Sequence, residues 1–245
     1  MTHVVLGYPS LEESMDIVRE MAKAGASIIE LQIPFSDPMA DGPTIMRANE
    51  SALEKGCKVA DCMSAMKTLA AELETPLLFM SYFNILFSYG VEKFCKDAAE
   101  AGAAGMIVPD VPIEENQEGY WTHAKANGLA AIPLVSPITS DTRLQQIANV
   151  ANDSFVYCVS MTGTTGAAEA VPAELKEYLG RVKKTFSCPV AVGFGINSVE
   201  QVRALAGIAD LAIVGSAMIK KIADKSSEQY LAEVREFTAA LSGQS

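Results

Sequence analysis

Two acidic residues near the start of the chain have the residue types and the setting for acid–base chemistry. The first is Glu30, in the apolar run SIIELQI at 27–33. Successive side chains of a strand point to opposite faces, so Glu30 is predicted to point away from Ile29 and Leu31. Loss of hydration moves the pKa of a carboxyl group toward the range useful for proton transfer. Glu30 is therefore a candidate general acid and base, with a solvated carboxylate at the strand end as the alternative.

Asp41 is the second candidate, in the segment PFSDPMADGPT at 34–44. Three prolines and a glycine make this segment a shaped loop rather than a helix. The alternative for Asp41, and also for Asp37, is a turn aspartate that bonds its own backbone. Glu30 and Asp41 on adjoining structure predict an acid–base pair, and this pair implies no metal.

Two glycine-rich turns, GFGIN at 193–197 and GSAM at 215–218, follow the last two apolar runs. Such turns bind anions where they open onto helix N-termini, because their backbone N–H groups point outward. Arg203 is the one basic residue between Ala191 and Ser216, and it falls inside a predicted helix. The turns predict a phosphate site made mainly of backbone amides and Ser216, with close packing of the glycines as the alternative.

Two further segments are candidates for the wall or the lid of a site. Tyr157 alternates with Phe155 and Val159 in an apolar run, which is typical of core as well as of a site wall. The segment TGTTG at 162–166 has little bulk to pack, so it is predicted to form a mobile lid loop. Neither histidine of the chain accompanies a serine turn, so a Ser–His–Asp triad is not predicted.

Composition excludes several classes of protein. There are 19 Lys and Arg against 30 Asp and Glu, a net charge of -11, which argues against binding to nucleic acid or to an anionic membrane surface. The five cysteines form no CxxC pair, which favours free thiols in a reducing cytoplasm over a zinc site. The first residues do not have the pattern of a signal peptide, and no apolar run reaches the ~18 residues of a membrane span.

Eight apolar, β-rich runs alternate with helical patterns, and this alternation must position the candidate residues. The predicted strands are 3–6, 27–33, 76–80, 105–110, 129–135, 154–160, 188–194 and 209–215. The predicted helices are 10–25, 44–55, 60–73, 91–102, 113–126, 140–150, 172–185 and 198–207, followed by C-terminal helices. Eight such units in 245 residues predict an α/β fold, a (β/α)8 TIM barrel in a single domain over 1–245. An open doubly wound sheet is the alternative, although the first turn has no GxGxxG pattern.

Several motifs, taken in order, resemble the tryptophan synthase alpha chain family. The most specific is IELQIPFSDPMADGPTI at 29–45. The others are SYFNILFSYG at 81–90, VPDVP at 108–112, SPITSDTRL at 136–144, VYCVSMTGTTG at 156–166, VGFGINS at 192–198 and VGSAM at 214–218. The resemblance covers nearly the whole predicted barrel.

The resemblance implies a lyase of L-tryptophan biosynthesis. That family cleaves indole-3-glycerol phosphate to indole and glyceraldehyde 3-phosphate by a retro-aldol reaction, with no cofactor or metal in this chain. Glu30 matches the catalytic glutamate and Asp41 the catalytic aspartate. The implied substrate-binding residues are Tyr157, Thr165, Gly166, Phe194, Gly195, Gly215 and Ser216.

The resemblance also implies a partner. The family acts with a β chain that uses pyridoxal phosphate to join indole to serine, as a cytoplasmic α2β2 heterotetramer in which indole passes through a tunnel. The loop that carries Asp37 and Asp41, together with the region around Asn84, would face that partner.

The sequence departs from the family pattern at several places. The usual extra N-terminal helix is expected to be absent, since the chain starts almost at the first strand. The substituted positions are His3 for a phenylalanine, Tyr8 for an aspartate, Gln32 for a glycine and Met161 for an arginine. These changes are expected to affect loop closure and subunit communication more than the chemistry.

Two other functions stay open at this point. One is a weakly catalytic regulatory subunit that binds a phosphate ligand and signals to a β-like partner. The other is a different phosphosugar barrel enzyme, which would have no reason to carry the loop at 34–44.

Overall fold

The computed structural model describes residues 1–114, 118–150, 154–159, 171–193, 195–223 and 225–243. Its strands are β1 (Thr2–Val5), β2 (Ile29–Gln32), β3 (Leu77–Met80), β4 (Gly105–Ile107), β5 (Ala130–Ile132), β6 (Leu134–Val135), β7 (Val156–Val159), β8 (Val190–Gly193) and β9 (Leu211–Ala212). Its helices are α1 (Leu11–Lys23), α2 (Pro43–Glu54), α3 (Val59–Glu72), α4 (Phe83–Tyr89), α5 (Val91–Glu100), α6 (Tyr120–Ala126), α7 (Asp141–Ala148), α8 (Ala173–Thr185), α9 (Val199–Ala204), α10 (Ser216–Ile222) and α11 (Ser227–Ser242).

The strands form a closed parallel ring. β1 to β5 pair in chain order in one sheet, and β6 to β9 pair in chain order in a second. The chain passes directly from β5 to β6 through Pro133, whose carbonyl accepts a hydrogen bond from the Tyr157 N–H at 2.9 Å. A parallel bridge between Thr2 and Val214 joins the last strand to the first. The predicted α/β barrel is thereby confirmed.

Several elements differ in their limits from the sequence prediction, and two of them are neighbours in the chain. The fifth strand, predicted over 129–135, is divided at Pro133, because proline has no N–H to donate to a neighbouring strand. The helix predicted near 113–126 begins only at Tyr120. The apolar pattern therefore located both elements, but it did not give their limits.

Helix α4 was not predicted from the sequence. A carboxylate oxygen of Asp110, on the next loop of the barrel, accepts a hydrogen bond from the Phe83 N–H at 2.9 Å. This contact satisfies one of the backbone donors that a helix leaves free at its start. The partner is distant in the chain, which is why a local pattern does not reveal the helix.

The apolar core has an outer and an inner layer. The outer layer lies between strands and helices and includes Ile29 and Leu31 of β2. The inner layer fills the barrel and includes Leu78, Met80 and Ile213. The alternation along β2 therefore sends Glu30 and Gln32 into the barrel, as predicted for Glu30.

Within the described ranges, no helix is long and apolar enough to cross a bilayer. The same part of the chain holds no group of three or more His, Cys, Asp or Glu side chains that could bind a metal ion. All five cysteines lie in it and are unpaired, although the sulfur atoms of Cys57 and Cys62 are 3.8 Å apart.

Candidate active site

A cavity of about 370 Å³ lies at the carboxyl ends of the barrel strands. The predicted site residues in its wall are Glu30, Asp41, Tyr157, Gly195, Gly215 and Ser216. The predicted residues Thr165, Gly166 and Phe194 lie outside the described residues. A larger cavity of about 660 Å³, beside α6 and α7, has none of the predicted residues in its wall.

Strand β2 holds Glu30 inside the barrel. Its register places it between His3 of β1 and Leu78 of β3. Glu30 is only 4% exposed, and its Oε1 lies 3.4 Å from Nδ1 of His3. The strand therefore presents to the cavity a buried carboxylate that is paired with an imidazole.

His3 interacts electrostatically with both candidate carboxylates, those of Glu30 and Asp41. Burial lowers the pKa of His3, but the charge of Glu30 and the hydrogen bond to it, with smaller contributions from Asp41 and Gln32, outweigh burial and raise the pKa above its usual value. Its Nε2 is buried and has no hydrogen-bond partner among the described residues. A histidine with a raised pKa carries positive charge over more of the neutral range and favours the ionised form of nearby carboxylates.

Side chains from two strand ends hold the carboxylate of Asp41. Nε2 of Gln32 donates a hydrogen bond to Oδ2 of Asp41 at 2.7 Å. The Tyr82 hydroxyl donates to the same oxygen at 3.1 Å and accepts one from the Ala40 N–H at 3.0 Å. The carboxylate of Asp41 is therefore bonded to the barrel, which does not favour the alternative of a turn residue bonded to its own loop.

The environment of Asp41 pulls its pKa in two directions. Burial raises the pKa above the usual value of an aspartate, and the nearby charge of Glu30 adds to this increase. The charge of His3 and the hydrogen bonds from Gln32 and Tyr82 lower it, but they do not cancel the effect of burial. These groups stabilise the anion of a carboxylate that would otherwise be poorly solvated.

Packing and hydrogen bonds shape the loop that carries Asp41. Oδ1 of Asn49, in α2, accepts a hydrogen bond from the Phe35 N–H at 3.0 Å. The Phe35 ring stacks on Tyr82 with centroids 5.2 Å apart. The Asp41 N–H donates to the Pro38 carbonyl at 2.9 Å, which closes a tight turn. The prolines predicted a shaped loop, and these contacts give it its shape.

The glycines of the two turns differ in how closely they are packed. A Cβ at Gly193 would lie 3.2 Å from the Tyr157 hydroxyl, so this glycine permits a close approach. Gly195 has a φ of +75° and nothing within 4 Å of a Cβ position, and at Gly215 a Cβ would make only ordinary contacts. Close packing therefore accounts for Gly193 but not for Gly195 and Gly215, which leave space open to the cavity.

Tyr157 of β7 lines the same cavity as the two carboxylates. It pairs in register with Leu134 and Ala191. Burial raises the pKa of its hydroxyl, and the charges of Glu30 and Asp41 raise it further. The hydroxyl is thus a neutral hydrogen-bond donor at physiological pH.

Three polar side chains that contact or charge the candidate carboxylates were not among the predicted site residues. His3 and Gln32 were noted only as departures from the family pattern, and Tyr82 was not singled out. Period two along β2 places Gln32 on the same face as Glu30, so the sequence contained a signal for it. Tyr82 directly follows β3, at the strand end where sites of this barrel type are built.

The chain is similar over nearly its full length to known proteins. The sequence pattern of the family described as "Tryptophan synthase alpha chain" matches residues 1–243. The tryptophan synthase alpha chain of Desulfotalea psychrophila is 42% identical over 91% of this chain and 87% of its own length. That of a Thermoanaerobacter species is 40% identical over 98% of this chain and 91% of its own.

Solved structures show the same similarity. A mutant tryptophan synthase alpha-subunit from Pyrococcus furiosus has a TM-score of 0.90 and 32% identity, covering 99% of this chain and 96% of that one. The Mycobacterium tuberculosis tryptophan synthase in space group F222 has a TM-score of 0.89 and 34% identity. The match covers 99% of this chain and 90% of that one.

Proposed function

Because this chain belongs to the tryptophan synthase alpha chain family, we propose that it cleaves indole-3-glycerol phosphate to indole and glyceraldehyde 3-phosphate. The reaction is a retro-aldol cleavage, so the enzyme is a carbon–carbon lyase of L-tryptophan biosynthesis. The observation that carries the proposal is that Glu30 and Asp41 line one cavity together with Gly195 and Gly215.

In the proposed mechanism, Glu30 moves protons. C3 of the indole ring must gain a proton before the bond between C3 and the glycerol side chain can break. The hydroxyl on the adjacent glycerol carbon must lose a proton as that carbon becomes the aldehyde. Glu30 is buried next to the cavity and can give one proton and take the other, which is general acid–base catalysis.

Asp41 would stabilise the charge that the first proton transfer creates. Protonation at C3 leaves positive charge on the ring nitrogen, whose N–H then becomes a stronger donor. A carboxylate fixed in advance at that nitrogen lowers the energy of this state without having to reorganise. As the C–C bond breaks, its electrons return to the ring and restore neutral indole.

The remaining predicted residues would bind the substrate. We assign the phosphate to the open turns at Gly195 and Gly215 and to Ser216, and the neutral hydroxyl of Tyr157 to a position beside the reacting carbons. By the family resemblance, Phe194, Thr165 and Gly166 would complete the substrate site. The whole chain, 1–245, would act as one domain.

The implied partner is a tryptophan synthase β chain that binds pyridoxal phosphate, in an α2β2 heterotetramer. Two large apolar side chains support a docking face around the loop at 34–44 and α4: Met39 is 90% exposed and Phe87 is 56% exposed. A cytoplasmic location agrees with the five unpaired cysteines.

Indole release from indole-3-glycerol phosphate, with and without a β chain, tests this function. We expect release by the chain alone and faster release in the complex. A weakly catalytic regulatory subunit would bind glycerol phosphate but release little indole in either case, and this result would reject the proposal. The retention of Glu30 and Asp41 in one cavity is the reason that we do not favour that alternative.

A further inference from the structure

We infer that Gln32 is a positioning residue that fixes the carboxylate of Asp41 in the cavity before the substrate binds. The inference rests on the proposed function, because it assigns Gln32 a part in that reaction. It concerns a side chain for which the family resemblance supplies no role, since Gln32 stands where that pattern has a glycine.

The two residues are held in different ways. Gln32 ends β2, where its backbone pairs with Val5 on one side and Met80 on the other. Asp41 lies on a loop nine residues further along, and Nε2 of Gln32 donates to its Oδ2 at 2.7 Å. The backbone of Gln32 is fixed by two neighbouring strands. Its side-chain amide therefore fixes the carboxylate of Asp41, which lies on a loop without such pairing.

Gln32 is poorly explained as a contribution to stability. The side chain is completely buried, and its Oε1 has no hydrogen-bond partner among the described residues. A buried carbonyl without a partner destabilises a fold, and a methionine of similar length would fill the space without that penalty. A methionine would not supply the contact with Asp41, nor the interaction by which Gln32 helps to raise the pKa of His3.

The geometry also orients the carboxylate. Gln32 and Tyr82 both donate to Oδ2 of Asp41, from two different strand ends. Two donors on one oxygen fix the rotation of the carboxylate plane and direct its other oxygen elsewhere. Oδ1 is then the oxygen that can accept the ring N–H of the indole.

The hydrogen bond also favours the ionised form of Asp41. Burial raises the pKa of Asp41, and the donation from Gln32 is one of the effects that lower it. The described titratable groups that face Asp41 are His3 of β1, Glu30 of β2, Tyr82 after β3 and Tyr157 of β7. Loss of the amide removes this donor and also the contribution of Gln32 to the raised pKa of His3, whose charge lowers the pKa of Asp41. Both changes should raise the pKa of Asp41.

Gln32→Met is the decisive variant, because it keeps the length of the side chain and removes the donor. We expect kcat for indole release to fall about 10- to 100-fold, the equivalent of one hydrogen bond to a charged group. KM should change less than about 3-fold, since the phosphate turns are untouched. The acid limb of the kcat profile should move to higher pH, and a 13C NMR titration of the Asp41 carboxyl should move in the same direction.

Gln32→Glu is the second variant, since it places a carboxylate against Asp41 and should move the acid limb further than methionine does. Thr238→Val is a matched control. The hydroxyl of Thr238 is also buried and has no hydrogen-bond partner within the described part of the chain, and Thr238 lines a different cavity. This variant should leave kcat and the pH profile unchanged.

Two results would overturn the inference. One is a kcat of Gln32→Met within about 2-fold of the wild type. The other is a lower kcat with an unmoved acid limb and an unmoved Asp41 titration, which would indicate a purely structural effect. A wild-type chain that releases no indole would instead reject the proposed function, and the NMR titration would still test the contact between Gln32 and Asp41.

Discussion

Glu30 and Asp41 reach the same cavity by different means. Glu30 is placed by backbone pairing, because β2 lies between β1 and β3 in a fixed register. Asp41 is placed by side chains, because Gln32 and Tyr82 both donate to it across the wall of the barrel. A strand position depends on many backbone hydrogen bonds. The loop of Asp41 has its own turn, but the orientation of the Asp41 carboxylate depends on two side-chain bonds.

This difference matches the roles that we propose for the two residues. A group that moves protons must stay within reach of two atoms of the substrate, and a rigid strand meets this need. A carboxylate that stabilises charge needs its orientation and ionisation to be set, and side-chain donors control both. We therefore expect substitution of a neighbouring side chain to disturb Asp41 more than Glu30.

The largest effect is expected for Glu30→Gln. The amide keeps the size of the side chain but cannot transfer the protons, so kcat should fall about 10²- to 10⁴-fold. Binding of glycerol phosphate should stay unchanged, since the turns at Gly195 and Gly215 are intact. The measurements are steady-state indole release and ligand titration, with exposed Glu54→Gln of α2 as the control. A variant with more than half of the wild-type activity would remove Glu30 from the mechanism.

Asp41→Asn should have the next largest effect. The uncharged amide cannot stabilise positive charge on the ring nitrogen, and loss of such stabilisation lowers kcat about 10²- to 10³-fold. Asp37→Asn, on the same loop, is the matched control and should stay near wild-type activity. Equal losses in both variants would mean that the loop itself, rather than the charge of Asp41, is required.

The same contrast separates what the sequence could predict from what it could not. Period two in a short apolar run was enough to predict the inward direction of Glu30, because strand geometry is local. The prolines of the loop predicted a shaped segment, but the Asp41 contacts depend on Gln32 and Tyr82 and hence on how β2 and β3 pair. Thr165, in the segment beyond β7, lies outside the described residues, and its proposed role stays a prediction.

The phosphate end of the site gives a similar lesson. Gly193, Gly195 and Gly215 look equivalent in sequence, since each belongs to a glycine-rich turn after an apolar run. Of these three, Gly193 alone lies close against a side chain, that of Tyr157 on the neighbouring strand β7. Whether a glycine avoids a clash or leaves space for a ligand depends on a neighbour that is remote in the chain, so the sequence left both alternatives open.

Tyr82→Phe should lower kcat moderately, because Tyr82 is one of the two side chains that hold Asp41. The change removes one donor to Asp41 and the acceptor of the Ala40 N–H, so the loop loses a fixed point. We expect kcat to fall about 10-fold and the free energy of unfolding to fall by about 1 kcal/mol, as for one hydrogen bond. Urea unfolding and indole release measure the two effects.

Tyr89→Phe is the matched control for that variant. The Tyr89 hydroxyl also donates to an aspartate, Oδ2 of Asp97, at 2.6 Å, but on the surface between α4 and α5. Tyr89→Phe should lower the free energy of unfolding slightly and leave kcat unchanged. A similar kcat for the two variants would mean that Tyr82 does not act through Asp41.

The smallest effect on turnover is expected for His3→Leu. This change removes the side-chain partner of Glu30, which β2 already holds by its backbone, and it also removes the charge of His3 near Asp41. If backbone register places Glu30, kcat should fall only about 3-fold or less, far less than after Gln32→Met. A larger loss than in Gln32→Met, with an unmoved 13C titration of Asp41, would break the comparison, because Glu30 would then depend on its side-chain partner more than Asp41 does.

The second readout for His3→Leu is the pH dependence of stability. Although burial lowers the pKa of His3, attraction to Glu30 and Asp41 makes the net shift upward. A histidine with a raised folded pKa contributes stability that is fully present below its unfolded pKa of ~6.5 and is lost as pH rises through the folded value. The wild type should therefore exceed His3→Leu in free energy of unfolding by more at about pH 5.5 than at about pH 8.5. Urea unfolding at both values measures this difference, and a gap that is constant or grows with pH would show that His3 is neutral in the barrel and gives Glu30 no charged partner.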